Sequence, residues 1–491
     1  MPEVTFPLPD IDLISLRPLI IVLGTALVLL IAELFMPKSR NQWLAGLGIF
    51  GLLAAGLSQV TIWDVSIRSF GGMMVTDQFS AMLNLILIGA TILAFLFADD
   101  YLTAKNIHLG EFYPMMLFAT AGAMVMVSST DLIIIFLGLE ILSIALYVLT
   151  GFARSEVRSE EAALKYFLLG AFASAFFLYG IAMIFGATGG ADLTNIASSW
   201  TENEGGRSLL IAGMALLLVG LAFKTALVPF HMWTPDVYQG APTVVTAYMS
   251  AVSKAAAVAV LVRTLGQMYP MKEIWEPALT VIAIASMTLG NLAAIVQRDA
   301  KRMLAYSSIA HAGYLMVGMI SGNVEGLTGI VYYLVAYSLM SIGAFAVLTL
   351  MARAGDDTSL DGLKGLWHRQ PVAAAAMLVM LFSLTGIPPS AGFFGKWHLL
   401  IGAVQANYIW LAVVLVINSV IGAGYYLNLI RSIYIDSPAE EGAKPWAIPA
   451  GLGLCILICA VGLIVFGITP YLADASRHAV ERMALDWYAM R

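Results

Sequence analysis

Stretches of about twenty predominantly apolar residues recur along nearly the whole chain, and this pattern removes most folds from consideration. A helix of that length matches the roughly 30 Å hydrocarbon core of a bilayer. Of 491 residues, 60% are hydrophobic and 11% charged, with a mean hydropathy of +0.87. Fourteen such windows can be placed: 18–36, 42–62, 77–98, 111–129, 131–150, 162–187, 208–238, 242–266, 275–297, 302–320, 325–353, 371–401, 407–433 and 445–469. The spacing predicts an all-α polytopic membrane protein with 14 transmembrane helices. Segments 208–238 and 371–401 exceed one straight crossing and are expected to be broken.

The first of these two is the most heavily constrained. Residues 220–254 read GLAFKTALVPFHMWTPDVYQGAPTVVTAYMSAVSK, with two lysines, a histidine, an aspartate and three prolines in an apolar region. A charge at membrane depth is costly and normally faces a bundle interior or a wet cavity. Pro229 and Pro235 each deprive a carbonyl one turn earlier of its donor, so a helix entering at Leu209 should end about one turn past Lys224. Broken helices persist in membranes where protein or water meets the freed backbone groups, and ionisable residues at such a break point to an ion path.

Seven residues are candidates for that path. Glu140 lies midway along 131–150 and reads either as a protonated helix-packing group or as the partner of Lys224. Pairing favours the charged form of each and separation favours proton release, so a pair that opens and closes is a proton switch. Lys165 either snorkels to the surface or modulates that pair. Lys254 lies too deep in 242–266 to snorkel. His231 on the break either relays protons or caps freed carbonyls, and His311 is either a relay or a packed core histidine. Lys396 follows GIPPSAGFFG, where Pro388 and Pro389 make a second break. Glu33, near the end of the first span, reads equally as an inter-subunit contact or a snorkelled acid.

Other chemistry finds no support. The formal charge of −6 is spread over loops without a basic cluster, which excludes nucleic acid as a partner. Cys455 and Cys459 are the only cysteines and read as small buried residues; there is no iron–sulfur, haem or Gly-rich phosphate signature. The acidic N-terminus lacks the positive segment of a cleavable signal peptide, so the first helix is expected to remain. Loops after odd-numbered spans carry thirteen Lys and Arg, including Lys38, Arg40, Arg302 and Lys444, against eight on the other side, including Arg68, Arg263, Arg477 and Arg491. The remaining four of 25 lie inside spans. This balance places both termini on the outer, periplasmic side.

An internal repeat supports the architecture. Ala145, Tyr147 and Gly151 recur as Ala312, Tyr314 and Gly318 at an offset of 167, Tyr166 and Leu168 as Tyr332 and Leu334 at 166, and Pro229 as Pro388 at 159. Five spans separate the copies, so they must be inverted in the membrane. The expected organisation is a three-helix segment at 1–110, a first repeat at 111–266 (spans 4–8), a second, inverted repeat at 267–433 (spans 9–13), and a last helix and tail at 434–491. Under these offsets Lys224 falls on Ser383.

The segments FKTALVPFHMWTPDVYQGAPTVVTAYMSAVSK and LTGIPPSAGFFGKWHLL resemble the broken helices of the antiporter-like membrane subunits of respiratory complex I and of Mrp-type cation/proton antiporters. GFARSEVRSEEAALKYFLLGAFASAFFLYG is similar, more narrowly, to the N branch of bacterial NADH-quinone oxidoreductases, homologous to subunit 2 of the mitochondrial enzyme. The likeness covers essentially the whole chain. It implies proton translocation in a bacterial inner membrane, driven by quinone reduction in other subunits. It implies no cofactor in this chain, with NADH, FMN, iron–sulfur clusters and quinone on partner subunits. The implied partners are the lipid bilayer and neighbouring antiporter-like and small membrane subunits. By resemblance, Glu140 and Lys224 form the pair, Lys165 is the modulator, Lys254 the central lysine, His231 a relay and Lys396 the terminal lysine toward the outer exit. A lysine at 396 and a tail of about twenty residues after the last span fit the N branch better than its M and L relatives. The alternative function is a subunit of an Mrp-type cation/proton antiporter.

Overall fold

A computed structural model describes residues 11–35, 41–107, 109–202, 204–353, 358–437 and 447–489. Lys38, Arg40, Lys444 and Arg491 of the charge balance, and the first ten residues, lie outside the described residues.

The chain is helical, with one small hairpin. It begins with α1 (Leu13–Phe35) and α2 (Asn41–Thr61), followed by strands β1 (Ile67–Ser69) and β2 (Met74–Thr76). Next come α3 (Gln78–Ala104), α4 (Phe112–Val127), α5 (Leu132–Thr150), α6 (Val157–Thr188) and the short α7 (Leu193–Glu202). The first broken segment is α8 (Arg207–Thr225) with α9 (Trp233–Gly240), and α10 (Thr243–Gln267), α11 (Lys272–Ile295), α12 (Ala300–Ser321) and α13 (Val324–Arg353) follow. After the four-residue α14 (Leu366–Arg369), the second broken segment is α15 (Pro371–Thr385) with α16 (Ala391–Gln405). The chain then runs through α17 (Ile409–Tyr434), α18 (Ala450–Ile468) and α19 (Tyr471–Ala489).

Twelve of the described helices are long and apolar enough to cross a membrane, and α4 and α15 are shorter apolar helices. The outer helices behave as lipid-facing helices should: α1 exposes Leu27, Ile31 and Leu34, and α18 exposes Leu457, Val461 and Ile468. The interior belongs to three others. In α10 every residue but Gln267 is buried, and in α12 every residue but Arg302 and Tyr306. α13 is similarly enclosed. Without a hydrophobic drive between helices in lipid, close approach depends on small residues. A Cβ on Gly180 of α6 would lie 2.7 Å from the Gly213 carbonyl oxygen of α8, so glycine at both positions lets the two backbones touch.

Both expected breaks are present, and they share one geometry. Ala226 takes a left-handed conformation (φ 63°); its N–H bonds to the Phe223 carbonyl (3.1 Å) and the Leu227 N–H to that of Ala222 (2.8 Å). At the later break Gly386 (φ 89°) bonds to Ser383 (3.1 Å) and Ile387 to Phe382 (3.0 Å). These are the paired closures of a Schellman motif. The four residues correspond at an offset of 160, so the sequence alignment of Pro229 with Pro388 is one residue short: Lys224 corresponds to Leu384, not Ser383. The first break also comes earlier than proline chemistry alone implies. The backbone turns at Ala226, so α8 stops one residue past Lys224 instead of one turn.

Three features fall outside the sequence reading. Phe70, Gly71 and Gly72 all have positive φ and form the turn between β1 and β2. The amphipathic α7 packs in the loop before α8. The tail forms α19, which lies against α13 and α3, fastened by Arg477 to Glu325 (3.9 Å) and by His478 to Asp64 (3.7 Å) and Gln78 (3.1 Å).

Candidate functional site

Lys224 is the last residue but one of α8, so its side chain leaves the helix where the backbone turns away. It is buried, and its Nζ donates to Ser143 Oγ on α5 (2.8 Å) and Tyr166 OH on α6 (3.3 Å). Glu140, one turn before Ser143, instead accepts from Ser174 Oγ of α6 (2.5 Å). No ion pair joins Glu140 to Lys224: the carboxylate is within electrostatic reach of the ammonium, with Ser143 occupying the ammonium's near side. The two thus share a site without direct contact.

Lys165 does not reach between them. Its side chain is 42% exposed, and its Nζ pairs with Glu161 (2.7 Å) and with Asp236 of α9 (2.9 Å). His231 sits in the turn between α8 and α9, half-buried, with Nδ1 lacking a hydrogen-bond partner.

The remaining candidates form a row on the buried helices. Lys254 of α10 donates to both the carbonyl and the hydroxyl of Ser308 on α12, and its ammonium lies 4.9 Å from the Tyr337 ring. His311, one turn beyond Ser308, holds Tyr333 OH at Nδ1 (2.5 Å) and Tyr426 OH at Nε2 (2.9 Å), and its ring lies 5.3 Å from Tyr337 and 5.5 Å from Tyr314. Tyr314 in turn lies under the Lys396 ammonium, 4.9 Å from its ring centre. Lys396 Nζ donates to the carbonyls of Leu384 and Thr385, both at 3.0 Å. These last carbonyls of α15 are ones that the backbone closure leaves free. On the side of Lys254, Tyr166 lies within hydrogen-bonding reach of Ser253, the residue that precedes Lys254 in α10.

Chemically, the row has one consistent property. Lys224, Lys254 and Lys396 are all buried, and among the described residues none has an ion pair; each ammonium is held by neutral oxygens and aromatic faces. A lysine so held exchanges a proton without first breaking a salt bridge. Sequence reasoning found the ionisable members but missed Ser143, Tyr166, Ser308, Tyr314, Tyr333, Tyr337 and Tyr426, since hydroxyls on separate helices carry no local spacing signal. Glu33 is half-buried near the end of α1, and Cys455 and Cys459 are buried on α18.

Two discontinuous helices enclosing a polar row define a class of polytopic membrane proteins that move small ions through their interior. The family model described as NADH:quinone oxidoreductase/Mrp antiporter, TM, matches residues 129–422. The chain belongs to this family, in the branch of the NADH-quinone oxidoreductase subunit N proteins. It is 45% identical to NADH-quinone oxidoreductase subunit N of Trichlorobacter lovleyi over 464 residues, covering 94% of this chain and 95% of the relative. Among solved structures it resembles a chain of respiratory complex I from Thermus thermophilus with bound aureothin, at 34% identity and a TM-score of 0.77, over 92% of this chain and 97% of that one. A chain of the Mrp complex from Dietzia sp. shares the fold at 22% identity and a TM-score of 0.85, over 97% and 98%.

Proposed function

We propose that this chain is a proton-translocating membrane subunit of an NADH:quinone oxidoreductase, and that Glu140, Lys165, Lys224, His231, Lys254, His311 and Lys396 carry or control the proton. Quinone reduction in other subunits drives the cycle, and NADH, FMN, iron–sulfur clusters and quinone reside on those subunits. The observation that carries the reading is the row of buried ionisable groups in which Lys254, His311 and Lys396 are linked through the rings of Tyr337 and Tyr314, with Lys224 meeting Tyr166 at its other end. The identical closure of the two helix breaks supports two inverted repeats, 111–266 and 267–433, flanked by segments 1–110 and 434–491. The twelve long helices, α8 of the first broken segment among them, together with α4 and the second broken segment support fourteen crossings and hence both termini on the periplasmic side of a bacterial inner membrane. Neighbouring antiporter-like and small membrane subunits complete the assembly.

In this mechanism, a change of charge in a neighbouring subunit acts on Glu140. Glu140 changes the hold on Lys224, which exchanges its proton with Lys254 through water, and Lys396 passes protons across. The test is Lys224→Ala in the intact complex, reconstituted in vesicles. The complex should assemble and reduce quinone while NADH-driven acidification falls. Unchanged protons per NADH would sink the mechanism, and sodium-coupled pH changes without NADH would assign the row to a cation antiporter instead.

A further inference from the structure

Asp236 lies outside the row yet ties three helices together. In the first turn of α9, its Oδ2 accepts from Lys165 Nζ of α6 (2.9 Å) and its Oδ1 from Arg302 Nη1 of α12 (2.6 Å). Arg302 also donates to Gln239 Oε1 on α9 (3.1 Å). The cluster borders a polar cavity of about 260 Å³, shared with Arg158 and Glu161. One turn before Asp236 on the same short helix, Trp233 stacks on Tyr166, with ring centres 4.5 Å apart and planes within 9°, and its Nε1 donates to the Phe223 carbonyl (3.0 Å). Tyr166 receives the Lys224 ammonium, and Phe223 precedes Lys224 in the chain. The first turn of α9 therefore carries both the ion pairs at Asp236 and the Trp233 ring that touches the surroundings of Lys224.

We propose that Asp236 is the positioning residue through which Lys165 acts on Lys224. The ion pairs fix α9, and α9 fixes the Trp233–Tyr166 stack on which the Lys224 ammonium rests. An independent observation is positional: Asp236 stands ten residues past the Ala226 closure, where Lys396 stands ten past the Gly386 closure. In the later break the residue at that position reaches back to the end of the preceding half-helix as a cation. In the earlier break Lys224 already supplies the cation, and the corresponding residue is an anion turned toward Lys165. The inference rests on the proton-translocation reading above.

The experiment uses the intact complex in vesicles with Lys224→Ala, Lys165→Ala, Asp236→Asn, Asp236→Glu and the double variant Lys165→Ala/Asp236→Asn. Protons per NADH are read with a pH dye, and amide exchange over residues 233–240 by mass spectrometry. Asp236→Asn and Lys165→Ala should each lower pumping about fivefold, and the double variant no further. Exchange in α9 should rise about tenfold, and Asp236→Glu should restore at least half of the pumping. Wild-type pumping by Asp236→Asn, or a double-variant loss equal to the product of the single losses, overturns the inference. If Lys224→Ala also pumps normally, the translocation reading falls with it; if only Asp236→Asn does, that reading stands. Should Asp236→Asn fail to assemble, Lys165→Ala decides by exchange alone: faster exchange in α9 supports the inference and unchanged exchange refutes it.

Discussion

The Lys396 ammonium closes the Leu384 carbonyl from the far side of a helix break, 3.0 Å away and twelve residues on in the chain. In the corresponding position at the other break, the residue matching Leu384 is Lys224. Each break thus gathers one cation at the C-terminal end of its first half-helix, where the helix dipole is negative, although the two cations come from opposite sides of the break.

Removing Lys396 should loosen the later break. Lys396→Met leaves the Leu384 and Thr385 carbonyls without their charged donor, a loss of about 2 kcal/mol for hydrogen bonds of this kind. Amide exchange around residues 386–392 should accelerate about thirtyfold in the assembled complex, with pumping impaired. Exchange equal to wild type would mean that water replaces the ammonium at no cost.

Ser143 accepts from Lys224 one turn along α5 from Glu140, so the hydroxyl should matter more than its size suggests. Ser143→Ala removes the 2.8 Å acceptor of the Lys224 ammonium without adding volume. Pumping per NADH should fall several-fold in vesicles while the amount of assembled complex is unchanged. Full pumping would place Ser143 outside the path.

Tyr426 serves two buried partners, Ser307 Oγ and His311 Nε2. Tyr426→Phe keeps the ring and strands both groups, at about 1–3 kcal/mol for each unsatisfied group. Exchange in the middle of α12 should rise and pumping should fall. A variant that matches wild type in both would show that His311 does not depend on this hydroxyl.

At the end of α3, acid should weaken a clasp. Asp77 caps α3 and receives both Arg263 guanidinium nitrogens, at 2.9 and 3.0 Å. Burial pushes its carboxyl up, but the Arg263 charge and hydrogen bonds outweigh burial and hold it below the ordinary value. A carboxyl depressed on folding contributes stability above its unfolded value of roughly 3.9, lost as pH falls through the lower folded value. Asp77→Asn retains a capable helix cap but leaves Arg263 buried without its counter-charge, so about 3 kcal/mol should be lost at pH 7. As pH falls below roughly 3.9 and through the lower folded value, the difference from wild type should shrink. Thermal unfolding of the purified complex across this range measures it, and a pH-independent difference would show that the loss does not come from the Asp77 charge.

The membrane class, the spans and both breaks were legible because apolar length and proline chemistry are local properties. So were the three buried lysines, whose depth follows from position within a run. The site of the first break was not, because Ala226 adopts a glycine-like conformation that no residue preference announces. The hairpin turn shares this difficulty through Phe70. The spacing places Lys165 with Glu140 and Lys224, but its partner, Asp236, comes 71 residues later on a different helix. Pairings of this kind are set by which helices meet, and the chain states that only once folded.

The row also has an electrical consequence. Lys254 and His311 stand near the midpoints of α10 and α12, and Lys224 and Lys396 stand at breaks in the middle of their segments. All four therefore share roughly one depth in the bilayer. Carrying a full charge across a membrane at 100 mV involves about 2.3 kcal/mol. In the proposed mechanism a proton moving sideways along this row crosses almost none of that voltage, and the work against the membrane potential falls on the steps that join the row to the aqueous phases.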